Sequence, residues 1–192
     1  MDRVRSAAAQ GTLDPSDSVA GEEPARRGAA SLSGFLDGIN GSRTDDPHLT
    51  ALGHSYGSTT TGLALQQAQG VDDLVFFGSP GIGTSDVADL NIPEGNTYVL
   101  EADLDGVADL GRFGADPNQL DGATNLSSRE QTLDGRDYSG VEWHTNYLGG
   151  GSTSQYNMGV IVAGAEDRAI TGDNQGAGDW LRDTENWSLW HS

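Results

Sequence analysis

The sequence contains no cysteine, which excludes disulfides, thiolate catalysis and thiolate metal sites. Lysine is also absent: 10 basic residues, all arginine, face 29 acidic residues, and the net charge is −19. So acidic a surface repels phosphate backbones, and its simplest interpretation is a well-solvated exterior. No apolar run is long enough to cross a bilayer, and no signal-peptide core is evident near the N-terminus. We therefore expect a cytoplasmic protein that binds neither membranes nor nucleic acid.

The length of 192 residues fits one domain, and a hydrophobic fraction of 35% supports a modest core. Residues 1–20 show no periodicity and are predicted to be a flexible lead-in. Residues 21–165 alternate strand-like and helix-like patterns, and 166–192 form a Trp-containing acidic tail. The sequence thus predicts one central domain with an extension at each end.

Within the central domain, apolar runs of strand length alternate with stretches of helical spacing. Such alternation predicts an α/β fold with a mostly parallel sheet flanked by helices. The segment 106–140 is polar and rich in Gly and Asp, and we expect it to be irregular. The predicted strands are 48–52, 73–78 and 97–102, and the predicted helices are 22–39, 58–69 and 156–163.

The run Gly53-His54-Ser55-Tyr56-Gly57 fits the pattern G-x-S-x-G. This pattern is typical of a sharp strand-to-helix turn that exposes a serine hydroxyl at the top of an α/β sheet. The predicted strand before it and the predicted helix after it supply the required context. Glycine is expected on both sides because a Cβ would clash where backbones approach closely, and the serine itself is expected to be strained. Ser55 is therefore the candidate nucleophile.

A serine hydroxyl needs a base, normally a histidine that a carboxylate orients. Of the four histidines, His48 begins the predicted strand at the end remote from Ser55, and His191 is next to the C-terminus. His54 lies inside the turn, where we expect its side chain to point away from the serine. His144 lies in a loop just before the last predicted helix, where a base of this class belongs. His144 is therefore the candidate general base.

The candidate acid comes from a group of aspartates that follows the third predicted strand, Asp103, Asp105 and Asp109. Asp105 is preferred because the first turn after the strand would aim it inward, and Asp103 is second. At least one of the three is expected to be an ordinary turn residue.

The oxyanion of such a reaction needs backbone N–H donors. The residue after the nucleophile supplies one, which assigns the Tyr56 N–H by position. The second normally comes from a loop after an earlier strand, but residues 1–47 contain no apolar strand followed by a Gly-rich turn. Gly81 and Gly83 lie on the wrong side of the turn in sequence, so the second donor is not evident.

Several linked motifs occur along the chain: residues 48–62, 70–73, 77–81, 107–111 and 113–117, together with a His-x-x-Tyr pattern at His144 and Tyr147. Together they resemble the α/β-hydrolase family of uncharacterised function that is common in actinobacteria. The resemblance covers roughly residues 14–165 and implies an α/β-hydrolase fold, Ser55 as nucleophile and His144 as base. Family members often have Asp-Pro-Val-Ala where this chain has Asp-Gly-Val-Ala at 105–108, which supports Asp105 as the acid.

The chain departs from this family at its front, where members usually carry earlier strands and an oxyanion turn of Val-Pro-Gly type. We therefore expect an N-terminally truncated three-layer sandwich. Its exposed sheet edge would favour self-association. Loss of one oxyanion donor typically lowers turnover by on the order of a hundred- to a thousand-fold.

These observations favour a serine hydrolase that cleaves a small-molecule ester through an acyl-serine intermediate, with no metal or organic cofactor. The alternative is a catalytically weak or inactive hydrolase remnant that acts as a binding domain. A third hypothesis, a Ca²⁺ or Mg²⁺ module built on Asp103, Asp105 and Asp109, lacks any EF-hand pattern.

Overall fold

The computed structural model describes residues 21–42, 44–103, 105–108 and 112–172. The predicted lead-in 1–20 and residues 173–192 of the predicted tail lie outside this part of the chain. The described helices are α1 (Glu23–Gly41), α2 (Tyr56–Leu65) and α3 (Thr153–Val162). The described strands are β1 (Thr50–His54), β2 (Asp73–Phe77), β3 (Thr97–Leu100), β4 (Thr124–Leu126), β5 (Gln131–Leu133) and β6 (Arg136–Tyr138).

The first four strands form one parallel sheet in the order β1-β2-β3-β4, while β5 and β6 form a separate antiparallel hairpin. Thr50 pairs with Asp73 and His54 with Phe77, so β1 and β2 begin and end together. Because parallel strands end at one edge of the sheet, the loops after β1, β2 and β3 meet there. Within the described residues β1 is an edge strand, and Leu52 on it is 44% exposed.

Helices cover both faces of the sheet. Every residue of β2 is buried, although its alternate side chains point to opposite faces, so each face must be covered. Leu74 and Phe76 pack in a core cluster with residues of α1 and α2. Val75 and Phe77 pack in a second cluster with Met158 and other residues of α3. The predicted α/β fold with a parallel sheet between helices is therefore confirmed.

Helix α1 lies against α2 through small side chains, and Tyr56 holds its first turn. The Tyr56 hydroxyl donates a hydrogen bond to the carbonyl of Gly21 at 2.7 Å and accepts one from the N–H of Ala25 at 2.9 Å. A Cβ on Gly28 would lie 3.0 Å from Cγ2 of Thr60, so the two helices approach closely there. The residues of α1 that are buried are Ala25, Ala29, Ser33 and Leu36.

The structure differs from the sequence predictions at several boundaries. β1 covers Thr50–His54 rather than 48–52, so His48 precedes the strand instead of beginning it. Helix α2 begins at Tyr56, directly after the candidate nucleophile, and ends at Leu65. The prediction that 106–140 is irregular was wrong in part, since β4 joins the main sheet and β5 pairs with β6. Three-residue strands are too short to show the alternation by which a strand is predicted.

Residues 166–172 pack against the body of the domain. The N–H of Ser127 donates to the carbonyl of Ile170 at 2.8 Å, and the side chain of Asn157 makes hydrogen bonds with both main-chain groups of Ile170. The domain boundaries stay a prediction, because most of the tail lies outside the described residues. None of the helices in the described ranges is long and apolar enough to cross a bilayer.

Candidate active site

The turn between β1 and α2 holds Ser55 in a strained backbone conformation, with φ of +53° and ψ of −133°. Positive φ in a residue with a side chain is uncommon and persists only where the surroundings impose it. A Cβ on Gly53 would lie 2.9 Å from Cα of Ser58, so a side chain is sterically excluded there. A Cβ on Gly57 would meet no described atom within 4 Å. The predicted steric need for glycine is thus confirmed at the first position only.

Hydrogen bonds of buried hydroxyl groups hold this turn in place. Oγ of Ser58 lies 2.5 Å from the carbonyl oxygen of Ser55 and 2.5 Å from Oγ of Ser79, in the loop after β2. The N–H of Gly81 donates to Oγ of Ser79 at 3.2 Å. These contacts tie the strained serine to the neighbouring strand end, and nothing in the sequence pattern marked Ser58 or Ser79 for this role.

A continuous hydrogen-bonded chain joins the three residues that the sequence singled out. Oγ of Ser55 lies 2.7 Å from Nε2 of His144, and Nδ1 of His144 lies 2.9 Å and 3.0 Å from the two carboxylate oxygens of Asp105. An ionised carboxylate can only accept, so Nδ1 carries the proton and donates to Asp105. Nε2 is then free to accept the hydroxyl proton of Ser55. This tautomer is the one a general base requires.

Asp105 is fully buried and receives several further donors. The N–H groups of Val107 and Ala108 donate to its Oδ1 at 3.1 Å and 3.2 Å. The hydroxyl of Tyr147 donates to its Oδ2 at 2.7 Å and accepts from the N–H of Ala102 at 2.8 Å. Burial and the adjacent Asp105 carboxylate raise the pKa of Tyr147, so the hydroxyl keeps its proton and remains a donor. Asp105 is therefore held in one orientation from several directions.

Asp103, the second choice for the acid, is placed elsewhere. Its two carboxylate oxygens each lie 3.2 Å from a guanidinium nitrogen of Arg129, in a two-pronged and partly exposed ion pair. Asp109 lies outside the described residues. Asp103 and Asp105 thus have separate partners. A Ca²⁺ or Mg²⁺ module would require both carboxylates to face one common ion, and this arrangement does not favour it.

His54 contacts the candidate base His144, which the sequence analysis did not anticipate. The expectation that its side chain points away from Ser55 stays a prediction. Its ring stacks between Phe77 and His144, with centroids 4.9 Å and 5.0 Å away. Its Nε2 lies 3.0 Å from the carbonyl oxygen of His144, to which it can donate. The loop that carries His144 crosses the end of β1, and this long-range contact leaves no local signal in the sequence.

The end of β2 is kept free of side chains at Gly78, whose φ is +56°. A Cβ here would lie 2.9 Å from a ring carbon of Tyr147, 3.0 Å from Oδ2 of Asp105 and 3.2 Å from Nδ1 of His144. Gly78 therefore lies directly beneath the hydrogen bonds between Asp105 and His144, and no side chain larger than that of glycine fits there.

The candidate oxyanion donor is the N–H of Tyr56, at the start of α2. The first amides of a helix have no acceptor within the helix and point toward its N-terminus, where they favour negative charge. The second donor stays unassigned, because the stretch in which earlier loops are expected includes residues 1–20, outside the described part of the chain.

Residues spaced to hold a metal ion also occur in the described part of the chain, away from Ser55. They are His48, Asp73 and Glu166. Asp73 and the segment containing His48 lie at the opposite end of β1 and β2 from the strained turn.

Comparison with known proteins agrees with this fold. A family model described as "Alpha/beta hydrolase" matches residues 7–115, more than half of the chain. The chain belongs to the α/β-hydrolase family. The matched range includes Ser55 and Asp105 and ends before His144.

The chain is also similar to uncharacterised proteins of Mycobacterium bovis and Mycobacterium tuberculosis. In each case 39% of residues are identical over 108 residues, which cover 54% of this chain and 41% of the relative. The similarity thus spans less than half the length of these relatives. No solved structure shows significant similarity to the chain.

Proposed function

We propose that this chain is a serine hydrolase that cleaves carboxylic esters of small molecules through an acyl-serine intermediate. The observation that carries the proposal is the hydrogen-bonded chain from Ser55 through His144 to Asp105, with distances of 2.7 Å and 2.9 Å. Membership in the α/β-hydrolase family favours hydrolysis as the reaction class. The strained backbone of Ser55 adds support, since strain of this kind occurs at functional sites.

The geometry suggests the following steps. Oγ of Ser55 attacks the ester carbonyl carbon while Nε2 of His144 takes the hydroxyl proton. The oxyanion that forms is stabilised by the N–H of Tyr56. His144 then gives the proton to the departing alcohol oxygen, and the C–O bond breaks to leave an acyl-serine.

Deacylation reverses the roles of the same groups. Water loses a proton to Nε2 of His144 as its oxygen attacks the acyl carbonyl, and the proton returns to Oγ of Ser55 as the acid leaves. Asp105 stays ionised throughout and orients the imidazolium, while Tyr147 and two backbone amides hold Asp105 in position. The reaction itself uses no cofactor.

Hydrolysis of short p-nitrophenyl esters tests the proposal directly. We expect turnover by the full chain and a loss of at least about a thousandfold in Ser55→Ala and His144→Ala, in line with the removal of one member of such a unit. A fluorophosphonate probe should label the unaltered chain and leave Ser55→Ala unlabelled. Equal background rates in the unaltered chain and both variants, with no labelling, would refute the proposal.

A fluorophosphonate label without ester turnover would favour the alternative, a weakly active domain whose serine is activated but whose oxyanion site is incomplete. The observation that keeps this alternative open is that one backbone donor, Tyr56, is assigned and the second is not. Full ester turnover that depends on Ser55 would exclude it.

A further inference from the structure

A second cluster of ionisable side chains lies at the opposite end of the sheet from Ser55. His48 precedes β1 by two residues, Asp73 is the first residue of β2, and Glu166 begins a 3-10 turn after α3. Since Thr50 pairs with Asp73 and His54 with Phe77, the length of the strand, roughly 13 Å, separates this cluster from the strained turn. Three segments that are distant in sequence therefore converge at the amino ends of two strands.

The potential ligand atoms of these three side chains are close together. One atom from each of His48, Asp73 and Glu166 lies within 4.8 Å of the other two. Nε2 of His48 is 2.6 Å from Oδ2 of Asp73. The neighbouring Asp72 is oriented differently, since its Oδ2 accepts from the N–H of Leu49 at 2.7 Å and is 3.9 Å from Nδ1 of His48.

The carboxylate of Asp73 is the unusual member of this cluster. Its side chain is fully buried, and its Oδ1 accepts no hydrogen bond from the described residues. Its Oδ2 is paired with His48 through the short contact. Buried carboxylates are normally paired and hydrogen-bonded, because an unsatisfied one is strongly destabilising. Asp73 therefore points to a ligand that would satisfy it.

The charges in the cluster point to a cation. One imidazole can bring at most a single positive charge to these carboxylates, and a divalent ion would balance both.

We propose that His48, Asp73 and Glu166 bind a divalent transition-metal ion of the Zn²⁺ type, which joins the 3-10 turn after α3 to the start of β1 and β2. Imidazole nitrogen with carboxylate oxygens is a donor set that Zn²⁺ favours, whereas Mg²⁺ and Ca²⁺ prefer oxygen alone. Ligands of a tetrahedral ion at about 2.1 Å lie roughly 3.4 Å apart, so His48 must move outward by less than about 1 Å. His48 is half-exposed and has the freedom to do so.

The site has a structural role, because it lies far from Ser55 and no step of the proposed reaction passes through it. It uses none of the aspartates considered from the sequence for a Ca²⁺ or Mg²⁺ module. The competing explanation is a plain ion pair between protonated His48 and Asp73, which would need no metal.

Metal binding to the full chain, first stripped with a chelator, separates these explanations. We expect equilibrium dialysis to show about one tightly bound Zn²⁺ per chain, and Zn²⁺ at a hundredfold excess over Kd to raise Tm by roughly 5–10 °C. Mg²⁺ at the same concentration should leave Tm unchanged. A chain that binds no Zn²⁺, or one that Mg²⁺ stabilises equally, would overturn the assignment.

Variants then identify the ligands. His48→Gln and Glu166→Gln change side chains near the surface and should each weaken Zn²⁺ binding at least roughly tenfold, while the metal-free Tm of Glu166→Gln stays nearly unchanged. Asp121→Asn, an exposed acid elsewhere, serves as the control and should bind Zn²⁺ as the unaltered chain does. If His48→Gln or Glu166→Gln keeps full affinity, the ion binds elsewhere and the proposal fails. Ester hydrolysis is not part of this readout, so failure here leaves the proposed function standing.

Discussion

Gly78→Ala adds a single methyl group beneath the hydrogen-bonded chain and tests how closely activity depends on its geometry. Carbon atoms pack best at about 3.5–4.0 Å, whereas the new Cβ would lie 2.9 Å from the ring of Tyr147, 3.0 Å from Asp105 and 3.2 Å from His144. These side chains must shift by roughly 0.5 Å or more to restore normal contact. The bonds between Asp105 and His144, now 2.9 Å and 3.0 Å, would then lengthen beyond the useful range.

The expected effect on rate follows from this displacement. A misplacement near 1 Å costs about a hundredfold in turnover, so we expect kcat for p-nitrophenyl esters to fall about a hundredfold with little change in KM. The free energy of unfolding should fall by about 2–4 kcal/mol, since a left-handed alanine costs about 1 kcal/mol and overpacking adds about 1–3 kcal/mol. Tm should fall accordingly, by roughly 5–15 °C.

Gly106→Ala is the matched control, because it makes the same chemical change directly beside Asp105. Gly106 is exposed, and a Cβ there would meet no described atom within 4 Å. We expect its rate to stay within about twofold of the unaltered chain. Gly78→Ala with unchanged kcat and Tm would refute the steric argument, and equal losses in both variants would show a general sensitivity of these loops instead.

Three further substitutions test the supports of the site and of the core. Tyr147→Phe removes the hydroxyl that donates to the buried Asp105. We expect kcat to fall about tenfold and the free energy of unfolding to fall by about 1–2 kcal/mol. An unchanged rate would contradict the role of Tyr147 in positioning Asp105. His54→Phe keeps the stacked ring but not the hydrogen bond, so ester hydrolysis should slow by about two- to tenfold with Tm nearly constant. Gly62→Ala would place a Cβ 2.1 Å from the carbonyl oxygen of Ile82 and should lower the free energy of unfolding, measured by urea titration, by about 3 kcal/mol. Gly34→Ala, on an open helix face, is its control and should not be destabilised.

Local patterns in the sequence were enough to predict the elements that bury a regular apolar surface. After their first residues, β2 and β3 are continuous apolar runs, so their positions were predicted to within about two residues. The G-x-S-x-G pattern around Ser55 predicted the sharp turn, although only Gly53 is sterically required there. β4 escaped prediction since its residues Thr124 and Asn125 are polar, and it is a strand through its pairing with β3.

The candidate site was predictable only where chain order limits the possibilities. The order of Ser, acid and base reduced the search to few residues, and the first turn after β3 favoured Asp105 over Asp103. The hydrogen bond from Tyr147 to Asp105, across 42 residues, and the stacking of His54 on His144, across 90, arise from tertiary packing. No periodicity or spacing encodes such contacts, so they could be found only in three dimensions.

The position of β2 between β1 and β3 links any chemistry at Ser55 to the integrity of the sheet. Two strand spacings, about 9.6 Å, separate the strands that present Ser55 and Asp105, and the imidazole of His144 bridges the gap above Gly78. Slippage or fraying of β1, an edge strand in the described part of the chain, would break this bridge while the rest of the core stays folded. The rate of ester hydrolysis would then report the local opening of β1, and it would decline at temperatures below the Tm of the whole domain.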